Sequence, residues 1–173
     1  MISKKTKIGI LGGSFDPPHK GHLVISKEAY KRFKLKKIIW AVTKKNPFKK
    51  KSNTCISTRV ESCKKIIGKL SYIQVKFYEN IINSNKTINL INYFAKNKKR
   101  EIFFLMGADN LINFHKWHKW KTISQKCNII VFDRHGYKKK SMNSTTFKRL
   151  NNRNLKFIEF NKVNISSSQL RKI

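Results

Sequence analysis

One stretch, Gly12-Gly13-Ser14-Phe15-Asp16-Pro17-Pro18-His19-Lys20-Gly21-His22, constrains the fold more than any other part of the chain. The apolar run Ile8-Gly9-Ile10-Leu11 leads into it. A helical pattern leads out, with Leu23, Ile25, Ala29 and Phe33 apolar and Lys27, Lys31 and Arg32 between them. A strand therefore passes into a helix through two glycines, a rigid Pro17-Pro18 pair and two histidines. A helix N-terminus presents backbone N–H groups without helical partners and the positive end of the helix dipole. Both suit an anion, phosphate above all. Gly21 lets backbone approach a ligand closely. His19 and His22, three residues apart across the helix start, can both face an anion just beyond it.

These glycines are not those of the two common phosphate loops. A P-loop needs GxxxxGK[ST] and a dinucleotide fingerprint needs GxGxxG; neither register is met. What stands here is His-x-Gly-His. In isolation its plainer reading is a solvated turn with idle histidines; the strand before it and the helix after it favour a phosphate site. The full stretch resembles the signature of the nucleotidylyltransferase superfamily, the (H/T)xGH proteins. That resemblance implies that His19 and His22 hold ATP phosphates during nucleotidyl transfer, with Gly12, Gly13, Ser14, Phe15 and Gly21 in the ATP site.

The rest of the chain reads as a strand–helix alternation. Strands are expected at Lys7–Leu11, Ile38–Val42, Tyr72–Phe77, Glu101–Met106, Cys127–Phe132 and Leu155–Phe160. Helices are expected at Gly21–Phe33, Thr58–Gly68 and Lys86–Lys96, with a short one after the fourth strand. The continuous apolar character of Ile38-Ile39-Trp40-Ala41-Val42 fits a parallel strand covered on both faces. The expected class is α/β, a Rossmann-like doubly wound parallel sheet with helices on both faces, in one domain over residues 1–173. In such sheets ligands sit off the C-terminal strand ends. Residues 134–154 are polar and basic, and Lys138-Lys139-Lys140 reads as a surface loop.

A second constellation follows the fourth strand: Gly107-Ala108-Asp109-Asn110, then Phe114-His115-Lys116-Trp117-His118-Lys119-Trp120. Gly107 and Ala108 leave room at the strand end, Asp109 could accept hydrogen bonds from ribose hydroxyls, and Trp117 could stack on a flat heteroaromatic ring. Spacing of three also allows Phe114, Trp117 and Trp120 to be core packing, which for Trp120 is the better reading. Near the end stands Ile165-Ser166-Ser167-Ser168-Gln169-Leu170-Arg171. Serines before a short helix offer an N-cap and phosphate donors, although an ordinary capped helix has the same letters.

GADN followed by FHxWxxW, downstream of GGSFDPPHxGH, resembles the bacterial nicotinate-nucleotide adenylyltransferase family. The resemblance covers essentially the whole chain. It implies adenylyl transfer from ATP to nicotinate mononucleotide, giving deamido-NAD and pyrophosphate in NAD biosynthesis. It implies His19, His22, Lys49 and Arg171 as catalytic groups, and Ser167 and Ser168 as phosphate binders opposite the histidines. It further implies Thr87, Gly107, Asp109, Trp117, His118 and Arg134 on the mononucleotide. Trp117 would stack on the pyridine ring, and backbone N–H groups near Trp117 and His118 would read the nicotinate carboxylate. Mg²⁺ would come with ATP, held mostly by phosphate oxygens and water, since no carboxylate cage is evident.

Three places depart from the family's pattern. Asn46-Pro47-Phe48-Lys49 lacks the histidine that many members carry before that lysine. The Thr-Leu that opens the third helix appears as Thr87-Ile88. The sequence stops two residues after Arg171, which leaves a very short last helix. Arg59 and Arg134 stand where the family has arginines, although solvated bases are the plainer reading.

Composition bounds the partners. The formal charge is +32, yet only seven of the 40 basic residues are arginine, and the lysines are spread along the chain. Dedicated nucleic-acid binders cluster charge and mix in Arg and aromatics. No specific nucleic acid is therefore expected, and any such binding is read as incidental. No apolar run is long enough to span a membrane or is of secretory type. Cys55, Cys63 and Cys127 are odd in number, lack metal spacing and read as free core thiols of a cytoplasmic protein, a monomer or small homo-oligomer. Phosphopantetheine adenylyltransferase remains a rival with the same chemistry; it usually has Thr where His19 stands and lacks GADN–FHxW. A basic RNA-binding protein is a rival of another class. A class I aminoacyl-tRNA synthetase fits worst: the chain is too short and lacks a KMSKS loop.

Overall fold

The computed structural model describes residues 5–45, 54–151 and 153–159. Along the chain run β1 (Thr6–Gly13), α1 (Lys20–Phe33), β2 (Lys37–Val42), α2 (Ile56–Ile67), β3 (Ile73–Phe77) and α3 (Glu79–Ile82). Next come α4 (Thr87–Ala95), β4 (Arg100–Gly107), α5 (Ala108–Asn113) and a 3-10 turn, Phe114–Lys116. Then follow α6 (Trp120–Lys126), β5 (Asn128–Phe132), α7 (Lys138–Met142), α8 (Thr145–Leu150) and β6 (Leu155–Ile158).

All six expected strands pair in one sheet of order β3-β2-β1-β4-β5-β6, every neighbour parallel. Sequence reading implied the class; the order comes from the structure. Strand order reverses between β1 and β4, where open α/β sheets leave a crevice.

Side chains alternate between two buried cores. Along β2, Ile39 and Ala41 face one core; Ile38, Trp40 and Val42 face the other. Along β4, Ile102, Phe104 and Met106 oppose Phe103 and Leu105 in the same way. A strand covered on both faces has no solvent side, so it reads as one unbroken apolar run. Helices α1 and α2 cover one face through Ala29 and Cys63. Helices α4, α5 and α6 cover the other through Ile91, Leu111 and Ile123. Trp40 Nε1 donates to Ser26 Oγ at 2.8 Å inside the first core and so fixes α1 on β2.

Two expectations fail in the fold. Lys138-Lys139-Lys140 opens α7 rather than forming a loop, and α8 follows directly. Helix α7 buries a small polar side chain, Ser141, in place of an apolar stripe, and α8 buries Thr146 beside Leu150. Ser141 Oγ donates back to Lys138 O at 2.8 Å and Ser144 caps α8, so local bonds replace the periodic signal. The cysteines are not all core thiols either: Cys63 and Cys127 are buried, whereas Cys55 is exposed at the start of α2.

Candidate active site

The histidine pair is built by the helix that it starts. His19 is the N-cap of α1 in extended backbone, and its Nδ1 accepts from Gly21 N at 3.1 Å. His22 Nδ1 accepts from His19 N at 3.1 Å, closing a reciprocal capping box. The rings lie 3.8 Å apart between centroids. A neutral imidazole whose Nδ1 accepts carries its proton on Nε2. The caps thus set one tautomer for both rings, with the proton on Nε2.

Behind the pair lies Phe15, in left-handed backbone (φ 47) with its ring 1% exposed. That ring stacks on Trp40 at 5.0 Å and touches His22 at 4.8 Å. Phe15, assigned to the ATP site, is thus a core residue, its main chain as buried as its ring. Burial of the ring holds a backbone conformation that a bulky residue otherwise avoids.

Arg59 is the largest correction. It is 3% exposed, not solvated. Its Nη1 donates to Ser14 O at 2.6 Å and Thr43 O at 2.7 Å, and its Nε donates to Thr54 O at 3.0 Å. With Thr43 N donating to Gly13 O at 2.9 Å, one side chain on α2 joins the loops after β1 and β2.

Between these loops and α4 opens a cavity of about 570 Å³, well within the range of small-ligand sites. Gly12 and Gly13 line it, as do Trp117 and His118, whereas His19, His22, Ser14, Phe15 and Gly21 do not. Thr87, the first residue of α4, lines it as well. An added Cβ on Gly12 would meet nothing nearer than Phe104 at 3.9 Å, so the strand end is open to a ligand. Three lysines that sequence reading did not assign, Lys45, Lys86 and Lys116, also line the cavity, together with one carboxylate, Glu79. In a chain this rich in lysine no single one stands out by its letter. Burial raises the Glu79 carboxyl above its ordinary value, against the opposing bond from Lys44 N and the charges of Lys44 and Arg59.

The Trp117 ring is set by packing, edge-on to Phe104 at 6.2 Å and tilted on Phe114 at 5.2 Å. Its indole nitrogen is buried with no partner among the described residues. Trp120 packs edge-on to Phe114, as expected for a core residue. The Trp117 main-chain N–H already donates to Phe114 O at 2.9 Å, so it is not available to read a carboxylate.

Gly107, Asp109 and Arg134 gather at the ends of β4 and β5, beside the cavity rather than in its lining. Arg134 Nη1 donates to Asp109 Oδ2 at 2.7 Å, and its guanidinium also lies over the Tyr137 ring at 5.8 Å. An added Cβ on Gly107 would fall 2.5 Å from Asp109 Oδ1. Glycine is thus needed for this carboxylate, not for a ligand. Ala108 is fully buried and opens no approach. Lys49, Ser167, Ser168 and Arg171 lie outside the described residues.

Among the described residues no three His, Cys, Asp or Glu side chains gather as metal ligands. None of the described helices is long and apolar enough to cross a membrane.

A family model described as cytidylyltransferase-like matches residues 10–173. A Pelagibacter ubique protein named "Probable nicotinate-nucleotide adenylyltransferase" is 66% identical over 173 residues, 100% of this chain and 96% of the relative. An Agrobacterium fabrum protein of the same name is 36% identical over 140 residues, 80% of this chain and 74% of its own. Among solved structures, Plasmodium falciparum nicotinic acid mononucleotide adenylyltransferase complexed with NaAD matches with a TM-score of 0.78 at 20% identity. It covers 96% of this chain and 83% of that one. At that identity the match speaks for the fold.

Proposed function

The chain belongs to the cytidylyltransferase-like family and, within it, to the nicotinate-nucleotide adenylyltransferases, and on that premise we propose that it transfers the adenylyl group of ATP to nicotinate mononucleotide. The products are deamido-NAD and pyrophosphate, in NAD biosynthesis. One observation carries the reading to this chain's own residues. The cavity at the strand ends is lined by Gly12 and Gly13, the end of β1 that leads into the histidine pair, and by Trp117 and His118. The glycine end of β1 and an aromatic residue thus line one ligand-sized space, which supports the reading.

The mononucleotide 5′-phosphate oxygen attacks the ATP α-phosphorus; the P–O bond to the β-phosphate breaks, and pyrophosphate leaves with its electron pair. The nucleophile is already anionic at neutral pH, so alignment and charge neutralisation do the work. His19 and His22 donate from Nε2 to phosphate oxygens, a tautomer supported by both caps. Gly12, Gly13 and Ser14 offer main chain, with the Ser14 carbonyl held by Arg59; Phe15 and Gly21, both buried, shape the turn instead, and the Gly21 N–H is committed to His19. Lys49, Ser167, Ser168 and Arg171 are proposed to complete the phosphate site from the family motifs. Trp117 offers its face to the pyridine ring and Thr87 its hydroxyl. The Trp117 N–H is committed to Phe114, so reading of the carboxylate falls to the main chain at His118. Arg134 and Gly107 hold Asp109 toward the sugar. Nucleotidyltransferases of this kind generally use a divalent metal. We propose Mg²⁺ that arrives as MgATP, a substrate, because the described residues form no cage of their own.

The test is pyrophosphate release with MgATP and, in parallel, nicotinate mononucleotide, nicotinamide mononucleotide or 4′-phosphopantetheine. Clear preference for the first is expected, and it is reduced in Trp117→Ala by a higher KM for the mononucleotide. Turnover with phosphopantetheine alone would keep the histidine chemistry and discard the Trp117 assignment.

A further inference from the structure

The lysines are spread along the sequence, but the fold sorts the acids away from them. All six strands run parallel, so every connection into a strand reaches the same edge of the sheet, opposite the cleft. Main-chain bonds knit these connections into a rim. Lys36 N donates to Lys7 O at 2.8 Å, Thr6 N to Lys99 O at 2.7 Å, and Ile38 N to Tyr72 O at 2.7 Å. Strand register adds Lys37 beside Ile8 and Arg100 beside Thr6. Lys5, Lys36 and Lys99 are exposed there, and Lys7, Lys37 and Arg100 are half-buried at their stems.

Of the eight acids only Glu101 lies on this edge, and its carboxylate is occupied by Asn128 Nδ2 at 3.1 Å. Asp16, Glu79, Asp109, Asp133 and Glu159 all follow the C-terminal ends of strands, on the cleft side. Glu28 and Glu61 sit mid-chain on α1 and α2, paired with Arg32 and Lys64. The rim is therefore a fixed row of cations with almost no counter-charge of its own.

We infer that this rim binds the phosphodiester backbone of nucleic acid without reading its bases. Lysines are point charges suited to phosphate rather than to bidentate base contacts. The aromatic rings near the rim are already engaged: Tyr30 and Tyr72 stack on each other at 3.9 Å, and Lys7 and Lys156 lie over Phe103 and Phe33. Among the described residues, these rings are committed to protein partners rather than set out as a platform for base stacking. A membrane surface fits less well. The exposed large apolar residues, Ile81, Tyr137 and Met142, all lie beyond the other strand ends, and stable membrane anchoring takes a second signal beside charge. The eight residues of β1 separate rim from cleft by about 25 Å, so a bound strand leaves the cleft open.

The experiment uses the whole protein and a short fluorescein-labelled oligouridine, followed by anisotropy between about 50 and 200 mM salt. One variant replaces Lys5, Lys36, Lys37 and Lys99 with Gln. A second removes the same charge elsewhere, at Lys121, Lys139, Lys140 and Lys148, all exposed. Each lost phosphate contact lowers the salt slope by roughly 0.7. The rim variant is expected to bind at least about tenfold more weakly, with a slope shallower by up to about 3. The control is expected to keep its affinity, and both are expected to release pyrophosphate at the wild-type rate. Equal losses in the two variants would overturn the inference, since total charge would then be the cause. Displacement of the RNA by saturating MgATP would overturn it by placing the strand in the cleft. Capture by phosphatidylglycerol vesicles without RNA binding would overturn it in favour of a lipid surface.

Discussion

The two walls of the cleft are held by contacts of different range. On the β1–α1 wall the functional groups are set by near neighbours: His19 by Gly21 N, and His22 by His19 N. On the β4–β5 wall they are set by distant ones. Arg134 reaches Asp109 across 25 positions, and Phe104 orients Trp117. The first wall forms as its helix starts. The second exists only once β4 and β5 pair in register, with Gly107 opposite Phe132. On the proposed function, the phosphate chemistry falls to the local wall and recognition of the acceptor to the distant one.

The largest expected effect tests the chemistry of the local wall. His22→Ala should lower kcat by about 10²–10³, the usual cost of one donor aimed at developing phosphate charge, while the KM for ATP stays within about threefold. Steady-state kinetics with MgATP and nicotinate mononucleotide give both numbers. Equal losses in affinity and none in saturated turnover would reduce His22 to a binding and capping residue. The lost cap itself should cost only about 1 kcal/mol by urea denaturation.

Arg59 is where the comparison can break. It lies on α2, yet its guanidinium holds the carbonyls of Ser14, Thr43 and Thr54. Arg59→Met should leave three carbonyls without their charged donor and cost about 3 kcal/mol in urea denaturation. Arg59→Lys should recover less than half, because one ammonium cannot span the three acceptors. If Arg59→Met keeps full stability and kcat, the β1–α1 wall is self-sufficient. If kcat falls as far as in His22→Ala, the local wall is local only in its caps.

What could be read from the sequence follows the same division. The His19–His22 stretch was legible because strand, turn and helix cap are consecutive in the chain. The six strands were legible because burial on both faces makes their apolar runs continuous. Strand order, the burial of Arg59 and the Gly107–Asp109–Arg134 cluster depend on pairing between distant segments, which residue spacing does not encode. Lys138–Met142 was misread because its helix buries Ser141, and a small polar residue leaves no periodic mark. Among many lysines, Lys45, Lys86 and Lys116 had no local signal at all.

A smaller effect probes the distant wall by coupling. In Gly107→Ala the new methyl competes with Asp109 Oδ1 for the same space. The KM for the mononucleotide should rise about tenfold, or roughly 1.4 kcal/mol, with kcat little changed. In an Asp109→Ala background the same substitution should cost almost nothing, because the colliding group is gone. Additive losses would mean that Gly107 meets the ligand itself.

The smallest effect asks how local a local turn is. Hydrogen bonds to Ser57 and Thr58 lower the exposed Cys55 thiol from 9.0 to about 7. Burial pushes Cys63 and Cys127 up to about 12. The reactive species is the thiolate, so labelling with a disulfide reagent should rise with pH around a midpoint near 7 and modify Cys55 alone in the native protein. Ser57→Ala should move that midpoint up toward the ordinary thiol value. Arg59→Met should leave it near 7, since the two hydroxyls lie within three residues of the sulfur and hold it independently of the guanidinium. A midpoint that climbs in Arg59→Met as far as in Ser57→Ala would show that the Arg59 bond to Thr54 O fixes even the first turn of α2. Short-range and long-range contacts would then be one framework on this side of the cleft, and the contrast between its two walls would narrow to the histidine caps.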